Sequence, residues 1–283
     1  MNTDLLEILR CPACSGLYRI EGDRLACVAC HAEVQLRGGV PLFSDIPQDI
    51  VPSEKRARRA GADTPWRSAN TRFLQQEVQR MPAAAIILDV GAGHGDFSGL
   101  FEGRHYLAMD IYPYPEVDLV CDLTRIRPFA SGSLDIVLLM NLLEHLPDAS
   151  EFLKAIVPLL APGGKILVVV PFLVKIHQAP YDFARYTHYL LHKMGAEAGL
   201  QVEQIDGYYD PVFLLGESER YVHFWAMSRY PTLRRRMLAV ALAGYRLYQA
   251  ILARLLGAGY LADAMKENNP APVGYHVIYR KAE

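Results

Sequence analysis

Two CxxC pairs, a run of alternating glycines and one loop rich in histidine, aspartate and arginine hold most of the chemistry this chain could perform. The pairs are "CPAC" at Cys11 to Cys14 and "CVAC" at Cys27 to Cys30, separated by twelve residues. Each pair presents two thiolates from one tight turn, and two such turns facing each other complete a tetrahedral S4 site. The intervening "SGLYRIEGDRLA" alternates apolar residues around "EGD", which predicts a short hairpin. A unit this small buries too little apolar surface to fold alone, so bound metal would supply the missing stability. With cysteine at all four corners no position is left for a catalytic water, so the zinc expected on Cys11, Cys14, Cys27 and Cys30 is structural. Disulfides or a redox pair are the other reading of the same residues.

The second feature is "IILDVGAGHGDFSGLF", residues 86–101, which reads as a buried strand, a glycine turn and a helix. A dinucleotide-binding turn follows G-x-G-x-x-G. Gly91 and Gly93 fit that pattern, but its third position is Asp96, and the glycines run Gly91, Gly93, Gly95. A carboxylate there would repel a pyrophosphate. The spacing suits a cofactor without phosphate whose amino-acid tail lies on bare backbone, and S-adenosylmethionine is the candidate. "HYLAMDIY" predicts a second strand ending in Asp110, whose carboxylate could accept from both ribose hydroxyls. "DLVCDLTRIRPF" predicts a third ending in Asp122, positioned to meet an adenine amino group. "SLDIVLLMNLLEHL" and "GGKILVVVP" complete five strands, the fourth apolar on both faces like a central parallel strand. Between these two, Pro158 should stop or kink the helix near Val157.

Two resemblances follow from these motifs. The stretch from "LLEILRCPAC" to "GGVPLF", about the first 45 residues, resembles the Trm112-like zinc ribbons, which accompany methyltransferases as partners or fused domains. The order "LDVGAGHG", acidic strand end, "CDL", "SLDIV", "NLLEHL", "LAPGGKILVVVPF" resembles class I, type-11-like S-adenosylmethionine-dependent methyltransferases over roughly Ile86 to Asp206. That resemblance implies a Rossmann-like seven-stranded α/β sheet. It places Gly91, Gly93 and Gly95 along the methionine end, Asp110 on the ribose, Asp122 and Leu123 beside the adenine, and Asn141 closing the pocket. Asp89 is expected to order the turn through backbone hydrogen bonds, and Cys121 to be a small core residue.

The acceptor side is expected in "PFLVKIHQAPYDFARYTHYLL", directly after the fifth strand, where open parallel sheets bind ligands. His177 could take a proton from an acceptor hydroxyl, as could His145 in "LLEHL". Asp182, Arg185 and Tyr186 are the other candidate substrate contacts; Asp182 and Arg185 could instead form a salt bridge that shapes the loop and caps the helix starting near Thr187. Transfer to an unprotonated nitrogen would need no base, only in-line positioning. The H-x-x-P-x-D-x-x-R-Y-T pattern resembles bacterial methyltransferases linked with cell-surface polysaccharide assembly, which implies a glycan or other small acceptor.

The elements that must hold these groups divide the 283 residues into a ribbon over 1–46, a linker and helix over 47–82, and the methyltransferase-type domain over 83–283. The helix in "SANTRFLQQEVQRM" is expected to be capped at Ser68 or Asn70 and stopped by Pro82. "LQVEQIDGYY" and "VGYHVIYRK" predict the last two strands, with a helical insertion of about 211–270 between them. In that insertion Arg235, Arg246 and Arg254 fall roughly on one side of an apolar helix, which could pack as a lid, form a homodimer or lie on a membrane surface. A formal net charge of −2 gives no global attraction to nucleic acid, so RNA would need a local patch such as "EKRARR". The first residues lack a secretory pattern, and a cytoplasmic location is expected. Methylation of ribosomal or transfer RNA, and a non-catalytic role as another methyltransferase's partner, are the alternative functions.

Overall fold

A computed structural model describes residues 2–47, 64–210, 232–256 and 272–283. The "EKRARR" run and the expected insertion's flanks, 211–231 and 257–271, lie outside the described residues. The chain divides into two units, Met1–Val170 with Ile176–Asp206 and His276–Glu283, and Pro171–Lys175 with Gly207–Tyr275.

The first unit is organised by a parallel ladder. Strand β5 (Ile86–Val90) pairs in parallel with β6 (His105–Asp110) on one side and β8 (Leu134–Met140) on the other. Outside them lie β7 (Leu119–Val120) and β9 (Leu160–Pro171), again parallel. Strands β10 (Leu200–Tyr208) and β11 (Gly274–Lys281) complete that edge in the order β9-β11-β10. All seven expected strands therefore form, and as a Rossmann-like α/β sheet. Burial on both faces explains the unbroken apolar runs of β8 and β9.

The sheet does not stop at seven. Behind helix α1 (Thr3–Ile8), β1 (Tyr18–Glu21) and β2 (Arg24–Cys27) make the hairpin expected between the cysteine pairs, with Glu21 opposite Arg24. Strands β3 (Glu33–Arg37) and β4 (Val40–Leu42), which the sequence reading left unassigned, continue the antiparallel meander. Leu42 of β4 then pairs in parallel with Val120 of β7, and the eleven strands among the described residues run as one mixed sheet. A second seam lies nearby, where Arg10 N donates to Pro128 O (2.9 Å) and Ala130 N to Ile8 O (2.8 Å).

Helix α2 (Pro65–Arg80) begins earlier than expected. Its cap is Thr64, whose hydroxyl accepts from Arg67 N, and Pro65 fills the first turn where its missing N–H costs nothing. Ser68 and Asn70 are thus interior, and Asn70 accepts from buried His276 Nε2 at 2.8 Å. Phe73 and Leu74 of α2 enter a core with Ile87, Phe101, Ile136, Leu138, Leu167, Val169 and Ile278. Helix α3 (Ala149–Ile156) ends where Pro158 requires, passing into a short 3-10 turn over Val157–Leu159. Helix α4 (His188–Glu197) is capped by Thr187, whose hydroxyl accepts from Leu190 N; neither Asp182 nor Arg185 caps it.

In the second unit, helix α5 (Thr232–Leu256) exposes Met237, Val240, Leu247 and Ile251 together with Arg236 and Arg254, and the Arg235 side chain lies outside the described residues. No helix among the described residues is long and apolar enough to cross a membrane.

Helix α4 approaches β11 through Gly195, where an added Cβ would lie 2.5 Å from Tyr279 Cε1. Tyr279 is fully buried and its hydroxyl donates to Leu191 O at 2.6 Å, so the ring has nowhere to go. Gly195→Ala is expected to cost on the order of 1–3 kcal/mol of stability, as overpacking does, read from urea unfolding.

Candidate functional site

The cysteines meet as four sulfurs. Cys11 Sγ lies 3.6 Å from Cys30 Sγ and Cys14 Sγ 3.5 Å from Cys27 Sγ, with all four within 4.8 Å of one another. Tetrahedral zinc with bonds of about 2.3 Å would set sulfurs about 3.8 Å apart, so the donor set and its spacing fit. The two pairs are conformational repeats. Ser15 N donates to Cys11 O and His31 N to Cys27 O, and both residues sit at φ 59°. Gly16 is required by packing, since a Cβ there would meet Cys27 Sγ at 2.8 Å.

The glycine turn caps the carboxyl end of β5. Gly91, Gly93 and Gly95 have φ of 77°, 54° and 64°, a left-handed region that side chains disfavour. A Cβ on Gly91 would touch Leu142 Cδ1 at 3.0 Å, whereas one on Gly93 would meet nothing within 4 Å, so the turn offers bare backbone there. Asp110 fastens this turn to the next: Oδ2 accepts from Gly93 N and Oδ1 from Tyr112 N, each at 3.0 Å. With Ile111 N–H also directed at it, the carboxylate still keeps acceptor capacity with which a ribose hydroxyl could be bound. Asp89 is held differently from the expectation, by the Tyr106 hydroxyl at 2.6 Å, and its burial pushes its carboxyl up to about 6. Asp96 pairs with Arg67 on α2 at 3.0 Å.

Beyond β7, Asp122 bonds within its own turn, Oδ1 accepting from Thr124 N and Oγ1, with Leu123 buried beside it. Its N–H donates to Ser44 Oγ at 3.1 Å, directly after the ribbon, and Tyr112 donates its hydroxyl to Pro47 O at 3.1 Å. The ribbon's exit therefore braces the loops expected to flank the adenosine. Sequence reasoning missed Ser44, because its partner lies 78 residues away. It missed His94 as well, whose ring lies 4.8 Å from Tyr114 and whose buried Nε2 lacks a hydrogen-bond partner among the described residues. Cys121 is buried, as a core residue should be.

On the acceptor side, Asn141 directly follows β8 at φ 53°, with its N–H donating to Val169 O. A 3-10 turn over Leu143–His145 follows, and the loop after β9 is joined to it residue by residue. Tyr186 donates its hydroxyl to Leu143 O (2.7 Å), Phe183 N donates to Glu144 O (2.7 Å), and His145 Nδ1 donates to Tyr181 O (2.6 Å). Tyr186 is buried by this contact, so it positions the turn and is not exposed to an acceptor. Asp182 holds Arg185 through two bonds and accepts from His177 N at 2.8 Å. The Arg185 guanidinium, by hydrogen bonding, keeps the Asp182 carboxyl down to about 2. His145 and His177 meet edge to face, 4.8 Å between centroids, and between them lies a residue the sequence reading passed over, Glu144. Its signal was there to read: a lone carboxylate inside the apolar run "NLLEHL".

A parallel sheet with a glycine turn after its first central strand and an acid at the end of the next defines a Rossmann-like methyltransferase fold. The chain belongs to the methyltransferase-domain family, a class of S-adenosylmethionine-dependent enzymes, whose sequence profile matches residues 66–237. It is 31% identical to a ubiquinone biosynthesis O-methyltransferase of Xanthomonas axonopodis over 141 residues, 44% of this chain and 57% of that protein. It is 33% identical to the methyltransferase str2 of Strobilurus tenacellus over 93 residues, 29% of this chain and 34% of that one. The chain thus spans little more than half the length of the first of these relatives and about a third of the second. A solved S-adenosylmethionine-dependent methyltransferase from Archaeoglobus fulgidus is 15% identical with a TM-score of 0.47, covering 76% of this chain and 94% of its own.

Because Asp89 titrates near 6 in the folded chain and near 3.8 otherwise, the stability its neutral form confers is present below about 4 and is lost as pH rises through 6. Asp89→Asn keeps an acceptor for Tyr106 and carries no charge. Its stability relative to the parent should therefore rise between pH 4 and pH 6 and level off above, read from urea midpoints across that range.

Proposed function

We propose that this chain transfers the methyl group of S-adenosylmethionine to a hydroxyl oxygen of a small acceptor, and that its first 46 residues are a Trm112-like zinc ribbon serving the same site. The observation that carries the reading is the pairing of a bare, carboxylate-anchored glycine turn with a histidine cluster at the ends of neighbouring strands.

S-adenosylmethionine when bound supplies an electrophilic methyl on a sulfonium. The chain's part is to hold and align. Gly91, Gly93 and Gly95 give backbone approach for the amino-acid tail, Asp110 receives the ribose, and Leu123 with the 122–126 turn lines the adenine. Asn141 closes the pocket at the end of β8. Asp122 contributes through its backbone and the turn it stabilises, since its carboxylate is engaged locally. Because transfer would neutralise the sulfonium, the pocket's exclusion of water and its in-line alignment of the acceptor would carry most of the rate. An oxygen acceptor must lose its proton, which gives His177 and His145 a purpose that a nitrogen acceptor would not. Relatives named as O-methyltransferases support the hydroxyl. The saccharide acceptor expected from the sequence has no counterpart among those names, so the acceptor class stays at a small hydroxyl compound.

Zinc on the four cysteines would hold β1 to β4 in place, and through Leu42–Val120 and Ser44–Asp122 the adenosine side with them. Removing the metal should then weaken cofactor binding as well as the fold.

Two measurements test this. Saturating S-adenosylmethionine should raise the melting temperature of the parent, and Asp110→Ala should lose at least tenfold in affinity by calorimetry; no shift in the parent would sink the assignment. Cys14→Ser should lower zinc content, melting temperature and cofactor affinity together. A variant that lost zinc yet bound cofactor normally would separate the ribbon from the site.

A further inference from the structure

Glu144 is fully buried, and neither carboxylate oxygen has a hydrogen-bond partner among the described residues. Its Oε1 lies 3.8 Å from His145 Nε2 and 3.9 Å from His177 Nε2. The bonds on the far side of each ring decide what those nitrogens present. His145 Nδ1 faces the Tyr181 carbonyl at 2.6 Å, and a carbonyl only accepts, so Nδ1 carries the proton and Nε2 the lone pair. Gln178 agrees, its amide nitrogen standing 3.0 Å from His145 Nε2 as a donor. His177 Nδ1 lies 3.3 Å from the Asp182 carboxylate, which favours a proton on Nδ1, so the neutral ring presents its lone pair at Nε2. Two imidazole nitrogens and a buried carboxylate thus converge. Gln178 satisfies one of those nitrogens and Arg185 is the nearby positive charge, but the Glu144 oxygens have no hydrogen-bond donor among the described residues, and such a group calls for a proton or a cation.

The geometry points to a divalent transition-metal site formed by Glu144, His145 and His177, beside the acceptor and separate from the cysteine cluster. The ligand atoms all lie within 4.8 Å of one another. Metal–ligand bonds of about 2.1 Å would draw neighbouring donors to about 3.0–3.5 Å, a closure of less than about 1 Å for the two carboxylate–imidazole pairs. Two histidines and one carboxylate on one side leave the opposite positions open, as in facial triads of nitrogen and oxygen donors. The outer partners are those that metal-bound histidines use: a backbone carbonyl behind His145, and behind His177 a carboxylate that Arg185 fixes in place. Gln178, an exposed residue, would release His145 Nε2 on loading. The open positions would take the acceptor's oxygen and lower its proton affinity, the proton passing to water while the two imidazoles serve as ligands in place of a base, a role that rests on the hydroxyl-transfer reading. The metal site itself does not.

The test is therefore binding, not turnover. The full chain with zinc retained on its cysteines is dialysed against Co2+, and metals are counted alongside the visible spectrum. One Co2+ per chain is expected in addition to the zinc, with weak ligand-field bands and none of the intense sulfur-to-cobalt absorption that exchange at the cysteines would give. Glu144→Gln, close in shape, and His177→Asn, on a half-exposed loop residue, should each lower Co2+ affinity at least tenfold with zinc content unchanged. No cobalt beyond that exchanged into the ribbon would overturn the proposal and leave a proton on Glu144 as the occupant. So would Co2+ binding that both variants retain. Methyl transfer that fails in a chain still binding Co2+ in this way would refute the hydroxyl reading while leaving the metal site standing.

Discussion

The carboxylate of Asp110 holds two turns that would otherwise be independent. One oxygen takes the N–H of Gly93 and the other that of Tyr112, so the glycine turn after β5 and the loop after β6 become one surface. This works because β5 and β6 are adjacent and parallel, in a register that sets Val90 opposite Met109 at their common end. Burial raises the carboxyl's affinity for its proton, and the N–H donors pull the other way and favour the anion. The acceptor at Asp110 is thus already oriented by the backbone it organises, which would lower the ordering cost of the ribose binding proposed there.

The N-terminal meander β1 to β4 enters this arrangement as part of the sheet. Its last strand extends the parallel ladder at β7, and the residues just past it bond to the loops after β6 and β7. Strand β7 is only two residues long and would be a weak edge by itself. Covered by β4, it gains a partner on its open side. The order of the four-cysteine cluster and the order of the loops after β6 and β7 are in this way mechanically joined, within one unit of the fold.

The acceptor side follows the same logic with different groups. Three bonds join Leu143, Glu144 and His145 to the loop after β9, and they explain why Tyr186, which looked like a substrate contact, is a buried strut. They also explain how a carboxylate comes to be enclosed between two imidazoles. Burial pushes Glu144 up to about 8, the loss of water outweighing its own backbone N–H and the Arg185 charge, which pull the other way. His145, also desolvated, has its proton affinity lowered.

The sequence by itself determined the local items. Pairs of cysteines at CxxC spacing, glycines at alternate positions, apolar runs closed by Asp110 or Pro158 and a hairpin around "EGD" each depend on neighbours within a few residues, and the seven strands, the hairpin and the stop at Ile156 follow from them. Only tertiary structure decided the rest. Thr64 caps α2 although Ser68 and Asn70 offered the same chemistry, because His276 and the core claim Asn70 from the far end of the chain. Tyr106 takes Asp89, Ser44 takes the N–H of Asp122, and Glu144 meets His177 across a gap of more than thirty residues. Periodicity and spacing record what a residue can do with its own turn or strand. Which buried polar group ends beside which is set by the register of parallel strands whose order in the sheet differs from their order in the chain.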